Sequence, residues 1–260
     1  MSRQRIDALL AERGLAPSRT SAAESVRAGR VRIGADGPLA LKPSQLVSAD
    51  AELLLTEPPR FVSRGGTKLD NALDTLAIDV TGLSCLDVGA STGGFTDCLL
   101  KRGAASVIAL DVAHGQLDWS LRNDPRVTVI ERRNARDLGP AELPYRPELA
   151  TVDVSFISLT KVLPAVAACL AEDGSVLAMV KPQFELGQGR VKGGVVRDPA
   201  ERREALLSVA SSAENAGLGV IGFASSGLPG PKGNLETFVH AAAGGEPHED
   251  LEAAIAEVEP

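Results

Sequence analysis

The feature that most constrains the fold is an alternation of short apolar segments with amphipathic ones, which begins near Lys68 and continues along the chain. The apolar segments are rich in valine, leucine and isoleucine, as the strands of a buried sheet are. Their positions are Cys85–Val88, Val107–Leu110, Val127–Ile130, Leu149–Val152 and Val176–Val180, with further candidates at Val220–Phe223 and Thr237–Val239. Strands that alternate with helices are typical of a parallel sheet covered on both faces. We therefore predict an α/β fold with a Rossmann-like, doubly wound sheet over residues 65–260.

The first 59 residues have a different pattern and form a smaller unit. Two amphipathic helices, each stopped by a glycine, precede two short strand-like pieces. The helices run from Ile6 to about Gly14 and from Arg19 to Ala28, and the strands are Val31–Ile33 and Leu53–Leu55. Glu57–Pro59 then breaks regular structure. We predict a small α+β domain at 1–59, a linker at 60–64 and the larger domain at 65–260.

The charge of the chain is unevenly distributed, although its net value is −7. Eight basic and four acidic side chains lie between Met1 and Ser48, whereas the tail is acidic and no lysine or arginine follows Lys232. This distribution indicates that the front of the chain meets a polyanion. An arginine surface that is merely solvated is an equally good explanation of the charge alone.

The composition disfavours several classes of protein. No apolar run approaches the ~20 residues that a membrane helix needs, and the N-terminus has no apolar signal core. Cys85, Cys98 and Cys169 are scattered and form no Cys-x-x-Cys pair, which is typical of reduced thiols. We therefore expect a cytoplasmic protein without a membrane span and without a metal site.

A glycine-rich turn follows the first strand of the larger domain, at the edge where doubly wound folds bind ligands. It lacks the Gly-x-Gly-x-x-Gly spacing of dinucleotide sites and the Lys-Ser/Thr of phosphate loops. Asp87, just before the turn, repels a pyrophosphate but suits the cationic end of S-adenosyl-L-methionine (S-adenosylmethionine). We prefer that cofactor to a dinucleotide and to a purely structural turn. The expected cofactor contacts are Asp87, Gly89, Ser91, Thr92, Gly93, Gly94, Phe95, Asp111 at the end of the second strand, and Asn134 after the third.

Two charged residues end later strands at the same edge of the predicted sheet: Asp153 follows the fourth strand and Lys181 the fifth. The Asp/Asn-Pro-Pro-aromatic sequence of amino-group methyltransferases is absent there, as is a cysteine nucleophile for methylation of pyrimidine carbon 5. A lysine whose pKa is lowered by burial or by a like charge can take the proton from a ribose hydroxyl. A structural ion pair at the sheet edge is the alternative.

These motifs carry a resemblance that covers nearly the full chain. The sequence resembles the TlyA family of ribosomal-RNA 2'-O-methyltransferases, some of which are named hemolysins. The front is similar to the RNA-binding module first described in ribosomal protein S-four, on Arg5–Leu10, Pro17–Arg19, Ala28–Ile33 and Leu41–Ser44. The remainder resembles the FtsJ-like methyltransferase domain, on Val62–Leu69, Gly89–Thr96, Asp153–Leu159 and Val180–Glu185.

The resemblance implies a function and a set of catalytic residues. FtsJ-like enzymes use a Lys-Asp-Lys-Glu tetrad, which by motif is Lys68, Asp153, Lys181 and Glu236. It implies that Lys181 is the base or main activator and that the other three orient it and the ribose. It further implies methylation of a cytidine ribose in ribosomal RNA, presented on a ribosomal subunit. One departure is Phe61 in the linker, where relatives carry a tryptophan; phenylalanine keeps the apolar anchor but lacks the indole N–H.

Several arginines are expected to contact RNA phosphates, which position a substrate without reading its sequence. They are Arg3, Arg5, Arg19, Arg27 and Arg30 in the front domain and Arg64 after it. The basic, glycine-rich segment 187–194 is expected to order over bound RNA, although a plain surface loop is an equal alternative. Two other functions are a non-catalytic RNA-binding or ribosome-assembly factor and a pore-forming cytolysin. The intact motifs count against the first, and the lack of a signal and a membrane span against the second.

Overall fold

The computed structural model describes residues 3–56, 60–187, 189–230, 232–246, 248 and 250–259, with only the backbone of Lys192. The chain divides into two compact units, Met1–Arg60 and Phe61–Pro260. This division falls inside the predicted linker. Phe61 belongs to the second unit, where its side chain is 2% exposed, and a helix already begins at Arg64. The predicted break at Glu57–Pro59 lies outside the described residues.

The first unit is built from two helices and two antiparallel strand pairs. Its elements are β1 (Arg3–Arg5), α1 (Ile6–Glu12), α2 (Arg19–Arg27), β2 (Val31–Ile33), β3 (Leu46–Ser48) and β4 (Leu53–Leu55). Strand β1 pairs with β3, and β2 pairs with β4. Ile6, Leu10 and Val31 are fully buried in the core of this unit. Both predicted helices and the strands β2 and β4 are confirmed, whereas β1 and β3 were not predicted; β1 has the sequence Arg-Gln-Arg and so lacks the apolar residues that signal a strand.

The second unit contains a seven-stranded sheet with helices on both faces. Its strands are β5 (Ser84–Val88), β6 (Ser106–Asp111), β7 (Val127–Glu131), β8 (Leu149–Val152), β9 (Ser175–Val180), β10 (Leu218–Ser225) and β11 (Thr237–Ala243). Its helices are α3 (Arg64–Thr75), α4 (Gly94–Lys101), α5 (Trp119–Arg122), α6 (Leu163–Cys169), α7 (Pro182–Glu185), α8 (Pro199–Asn215) and α9 (Leu251–Val258). Single turns of 3-10 helix lie at Ala135–Asp137, Pro140–Glu142, Leu159–Lys161 and Lys192–Gly194. All seven predicted strands are present.

The strand order is β10-β11-β9-β8-β5-β6-β7. Strands β5 to β9 are parallel, whereas β11 runs antiparallel to both of its neighbours, β9 and β10. The predicted α/β doubly wound sheet is confirmed, but the expectation that all its strands are parallel is wrong for β11. The described residues between β10 and β11 contain no helix. A connection without a crossover helix returns the chain antiparallel.

Alternate residues of the strands enter two hydrophobic cores on opposite faces of the sheet. Leu86 of β5 packs into a core that contains Leu206 of α8, whereas its neighbour Cys85 packs into a core that contains Leu69 of α3. All four side chains are at most 1% exposed. A one-residue slip would exchange the two faces, so these cores fix the register of β5. Among the described residues, no helix is long and apolar enough to span a membrane.

Candidate active site

The carboxyl ends of β5, β8 and β9 open into one cleft with a volume of about 1580 Å³. The beginning of β11 lies at the same edge, because Thr237 pairs with Val180 at the end of β9. The cleft is larger than the roughly 300–1,000 Å³ of a typical small-molecule pocket. It therefore has room for a nucleotide-like cofactor together with part of a polymeric substrate.

The glycine-rich turn forms the floor of the cleft between β5 and α4. Gly89 has φ +86°, and a Cβ there would lie 2.4 Å from the carbonyl oxygen of Asp153, so only glycine fits. Gly93 precedes α4 with φ +96° and packs against Leu121, where a Cβ would lie 2.3 Å from a methyl carbon. The predicted contacts that line the cleft are Asp87, Gly89, Ser91, Thr92, Gly94 and Phe95. Gly93 instead shapes the turn from behind.

Asp87 is a fully buried carboxyl group at the bottom of the cleft. Its Oδ2 accepts hydrogen bonds from the backbone N–H and the hydroxyl of Thr96, at 2.9 and 2.7 Å. Its Oδ1 is buried and has no hydrogen-bond partner. Burial raises the pKa of Asp87 to about 7, and the nearby charges of Asp153 and Asp111 act in the same direction against the bonds from Thr96. An uncommitted, buried carboxyl oxygen fits the cationic amino group of S-adenosylmethionine, so this part of the cleft suits that cofactor.

Asp111 lies beside the cleft, in a small adjoining hollow that shares Ala90 and Ser91 with it. Its Oδ2 accepts the backbone N–H of Ser91 at 2.8 Å, and its Oδ1 accepts that of Ala113 at 2.7 Å. Each carboxylate oxygen retains a further lone pair for a ribose hydroxyl. Asp111 is therefore placed as the sequence predicts, next to the glycine-rich turn.

Asn134 is exposed and does not line the cleft. Its side-chain oxygen accepts the backbone N–H of Arg136 at 3.1 Å and begins a 3-10 turn. The residue of this turn that lines the cleft is Arg136. Asn134 thus shapes a segment at the cleft rim, and its role in cofactor binding stays a prediction.

Lys181 and Asp153 form an ion pair where β9 and β8 end side by side. The ammonium of Lys181 also donates a hydrogen bond to the hydroxyl of Ser155, at 3.0 Å. Lysine and aspartate keep 12% and 24% of their side chains exposed, and both line the cleft. The structure therefore brings together the two charged residues that strand ends alone predict. Ser155 was not predicted, although it lies in the same short segment as Asp153.

Lys68 and Glu236 form a second ion pair in the same cleft. Lys68 is on α3, and Glu236 is the residue before β11. Their side chains are 9% and 2% exposed, so the pair is almost dry. Glu236 reaches the cleft by preceding a strand, because β11 is antiparallel and starts where the parallel strands end. The signal that would have found it is the missing helix between β10 and β11.

A wall of the cleft that the sequence did not identify as functional is formed by Phe156 and α7. Phe156 is 91% exposed and has φ +64°, a left-handed conformation that is unusual for an aromatic residue. Its ring centroid lies 5.1 Å from that of Phe184. The carboxylate of Glu185 accepts the hydroxyl of Ser158 at 2.6 Å and the N–H of Leu159 at 3.0 Å. Burial raises the pKa of Glu185, and its bonds tie α7 to the segment that carries Phe156.

The linker residues dock onto the helix that follows the glycine-rich turn. The backbone N–H of Val62 donates to Oδ2 of Asp97 on α4 at 2.9 Å, and Lys101 donates to the same oxygen at 2.8 Å. The Lys101 ammonium also lies 5.5 Å from the ring centroid of Phe61. Phe61 is therefore a buried apolar residue next to α4, the helix that follows the glycine-rich turn.

The predicted RNA-binding arginines differ in how free their guanidinium groups are. Arg5 forms an ion pair with Asp7 at 2.7 Å, and Arg19 approaches the same carboxylate at 3.4 Å. Arg5 holds the pKa of Asp7 below its usual range. Arg30 donates to the carbonyl of Thr56 at 3.3 Å, and Arg64 donates to that of Pro229 at 2.7 Å.

Arg64 lines the cleft, so it differs in setting from the five arginines of the first unit. Arg3, Arg5, Arg19 and Arg27 are exposed, and Arg30 is half-buried. These five are accessible on their own unit, and their contact with RNA phosphates stays a prediction.

The glycine-rich segment after α7 is held by its arginine. Arg190 binds Glu204 on α8 through two contacts, at 2.5 and 2.8 Å, and lies 3.5 Å from Glu201. Gly187, Gly189 and Gly194 line the cleft. The segment thus borders the cleft while its arginine faces an acidic surface of α8, and its ordering over RNA stays a prediction.

Two protein-family models match this chain. The FtsJ-like methyltransferase model matches residues 61–243, and the S4 domain model matches residues 4–53. The two matches fall within the two compact units. The predicted catalytic tetrad lies entirely in the first of these matched regions, and five of the six predicted RNA-binding arginines lie in or next to the second.

The similar proteins cover almost the whole chain. The 16S/23S rRNA (cytidine-2'-O)-methyltransferase TlyA of Mycobacterium tuberculosis is 53% identical over 240 residues, which are 91% of this chain and 89% of that protein. YqxC of Bacillus subtilis is 40% identical over 259 residues, 98% of this chain and 92% of its own. A solved structure named as a hemolysin from Streptococcus thermophilus is 38% identical, with a TM-score of 0.75 over 99% of this chain and 96% of that one.

Proposed function

The chain belongs to the TlyA family within the FtsJ-like methyltransferases, and from this premise we propose that it methylates the ribose 2'-hydroxyl of a cytidine in ribosomal RNA on a ribosomal subunit. S-adenosylmethionine is the cofactor of this family's reaction. The observation that carries the proposal is the position of Lys181, paired with Asp153 in the same cleft as the glycine-rich turn and the Lys68–Glu236 pair.

The residues at the turn suit the cofactor in chemistry and in shape. Asp87 offers a buried carboxyl oxygen to the amino group of the methionine part, and Asp111 offers its carboxylate to the ribose. Because Gly89 has no side chain, the backbone of the turn can approach a ligand closely. When bound, S-adenosylmethionine supplies an electrophilic methyl group on a positively charged sulfur.

The side chains of the cleft supply the rest of the chemistry. A ribose hydroxyl is a weak nucleophile until its proton is held or removed, and Lys181 is the group placed to accept that proton, in the neutral amine form left when its ammonium gives up one proton to solvent. Asp153 and Ser155 hold the amino group of Lys181 in a fixed direction. Lys68 and Glu236, which line the same cleft, orient the ribose. Fixing the reacting groups in place accounts for a large part of the rate in such transfers.

The first unit binds the folded RNA substrate in this proposal. Its exposed arginines supply phosphate contacts, and RNA of a ribosomal subunit is recognised mainly by shape and backbone. A ribosomal substrate places the reaction in the cytoplasm.

The first test is methyl transfer from labelled S-adenosylmethionine to purified ribosomal subunits. Alkali cleaves RNA through a free 2'-hydroxyl, so a ribose methyl group leaves one position resistant. We expect a resistant cytidine that is absent with Lys181→Ala. Label without resistance would indicate base methylation and overturn the role of Lys181. No label in either subunit would favour a non-catalytic RNA-binding factor.

A further inference from the structure

The cleft contains two hydrogen-bond acceptors that no residue of the described chain satisfies. Six carboxylate or amide side chains line it in the described part: Asp87, Asp153, Gln183, Glu185, Asn234 and Glu236. Only Oδ1 of Asp87 and Oε1 of Gln183 are buried, without a hydrogen bond and without a cationic partner. Buried polar atoms are almost always paired, so each of these two oxygens calls for a ligand.

The other four side chains are already committed to partners. Asp153 and Glu236 are paired with lysines, and Glu185 accepts from Ser158 and Leu159. The amide of Asn234 accepts the N–H of Val196 at 2.9 Å and donates to the carbonyl of Gly194 at 2.8 Å.

The two free acceptors lie in different parts of the cleft. Asp87 is at the end of β5, below the glycine-rich turn, where the cofactor is expected. Gln183 is on α7, two residues after Lys181, so it belongs to the side where the substrate hydroxyl must lie. The cofactor can satisfy the first oxygen, whereas a donor on the substrate is needed for the second.

We infer that Gln183 recognises the exocyclic amino group of the target base and so distinguishes cytidine from uridine. This inference rests on the proposed function. The amino group on carbon 4 of cytosine donates hydrogen bonds, whereas uracil has an acceptor oxygen at the same position. An acceptor facing that position pairs with cytosine and is left unsatisfied by uracil.

The surroundings of Gln183 suit a nucleobase. The next residue is Phe184, whose ring meets that of Phe156 at 5.1 Å with an angle of 50° between the planes. Phe156 leaves 91% of its surface exposed in the cleft. Proteins commonly bind single unpaired bases by stacking them on aromatic side chains and by hydrogen bonds from polar side chains to the base edge. Glu185 fixes this wall through its bonds to Ser158 and Leu159.

The test compares subunits assembled with ribosomal RNA that carries cytidine or uridine at the mapped position. The quantity measured is the ratio of kcat/KM for the two substrates. We expect the wild-type protein to prefer cytidine by roughly 10- to 100-fold, as one donor–acceptor match allows. Gln183→Met, which keeps the length of the side chain, should lower kcat/KM on cytidine by a similar factor and bring the ratio close to one.

Gln183→Glu is the matched variant. Glutamate has the same length as glutamine and keeps an acceptor oxygen at the position of Oε1, whereas methionine keeps only the length. The Glu variant should therefore keep the preference for cytidine that the Met variant loses. Binding of S-adenosylmethionine, which uses Asp87 and Asp111, should be unchanged in both and reports that they are folded.

Three outcomes are distinct. An unchanged ratio in folded Gln183→Met overturns the inference while leaving the proposed function intact. A wild-type ratio near one overturns it without any variant. Failure of the wild-type protein to methylate either subunit contradicts the proposed function and removes the inference with it.

Discussion

The two lysine–acid pairs of the cleft differ in how much water reaches them. Lys68 and Glu236 are 9% and 2% exposed, whereas Lys181 and Asp153 are 12% and 24% exposed. The drier pair joins α3 to the beginning of β11, which are far apart in sequence, and the wetter pair joins the ends of two neighbouring strands. The four residues of the proposed tetrad thus differ in setting: the open pair is accessible to a substrate, whereas the buried pair joins two elements of the fold.

The largest expected effect is on the rate, and it tests the open pair. Lys181→Ala removes the group proposed to accept the proton, so kcat should fall on the order of 10²–10⁴-fold, the usual contribution of a general base. The free energy of unfolding should fall less than when the Lys68–Glu236 pair is broken, because Asp153, the partner left behind, is 24% exposed. Methyl transfer to ribosomal subunits and thermal unfolding measure the two quantities.

Lys161→Ala is the matched control, since Lys161 lines the same cleft but is outside the tetrad. It should keep most of the activity. Normal turnover by Lys181→Ala would contradict the role of this lysine.

The second expected effect is on stability, and it tests the buried pair. Glu236→Gln leaves the ammonium of Lys68 buried without a counter-charge, which should cost about 3–5 kcal/mol of unfolding free energy. The double variant Lys68→Met/Glu236→Gln should recover much of this loss, because no lone charge is left. Asp153→Asn in the open pair should cost less than Glu236→Gln, because Asp153 is 24% exposed and Ser155 still accepts a hydrogen bond from the ammonium of Lys181. Urea unfolding of the four proteins measures these differences, and equal losses at Glu236 and Asp153 would erase the distinction.

The same contrast explains what could be read from the sequence. Parallel strands put their carboxyl ends at one edge, so Asp153, Lys181 and the glycine-rich turn follow from strand pattern alone. Glu236 precedes its strand, and its place depends on the reversal of β11, which the sequence indicates only indirectly, because the described residues between β10 and β11 form no helix. Lys68 lies on a helix and meets Glu236 only after α3 packs on the sheet. Both were identified by resemblance to a family.

Gln183 and Phe156 illustrate a second limit. Nothing in the sequence distinguishes a glutamine with a buried, unpaired oxygen from one on the surface. The exposure and positive φ of Phe156 depend on how its segment is tied to α7. Such properties arise from tertiary packing and cannot be predicted from strand periodicity.

The third prediction concerns Asp87, a carboxyl group of the cleft for which the structure shows no lysine partner. The pKa of Asp87 is raised to about 7, so the ionised form, which attracts the cofactor's amino group, gains population as pH rises through this value. Affinity for S-adenosylmethionine should therefore weaken about tenfold from pH 8 to pH 6. Asp87→Asn should bind more weakly and without this pH dependence. Calorimetric titrations at several pH values measure both, and a flat profile for the wild-type protein would contradict the assignment.

The smallest expected effect is on RNA binding, and it concerns charged side chains that are more exposed than either pair of the cleft. Arg5 and Arg19 are 45% and 57% exposed and share Asp7 as their partner. Exposed pairs of this kind contribute little to stability, so their guanidinium groups can turn to RNA phosphates at small cost. Arg5→Gln/Arg19→Gln should weaken binding to ribosomal subunits severalfold at moderate salt. Each lost phosphate contact lowers the slope of log affinity against log salt by about 0.7–0.9, so the slope should fall by roughly 1.5.

The control for this last prediction is Arg126→Gln in the second unit. Arg126 is 47% exposed and is also held by an acid, Asp124, but it lies outside the cleft lining and the front unit. Its loss should leave the salt slope unchanged. Arg126 and Arg5 are about equally exposed. A difference between their variants would therefore show that the arginines that bind RNA are determined by their position on the first unit and not by accessibility. If all variants show the same slope of log affinity against log salt, the first unit does not bind phosphates, and the cleft is the main contact with the substrate.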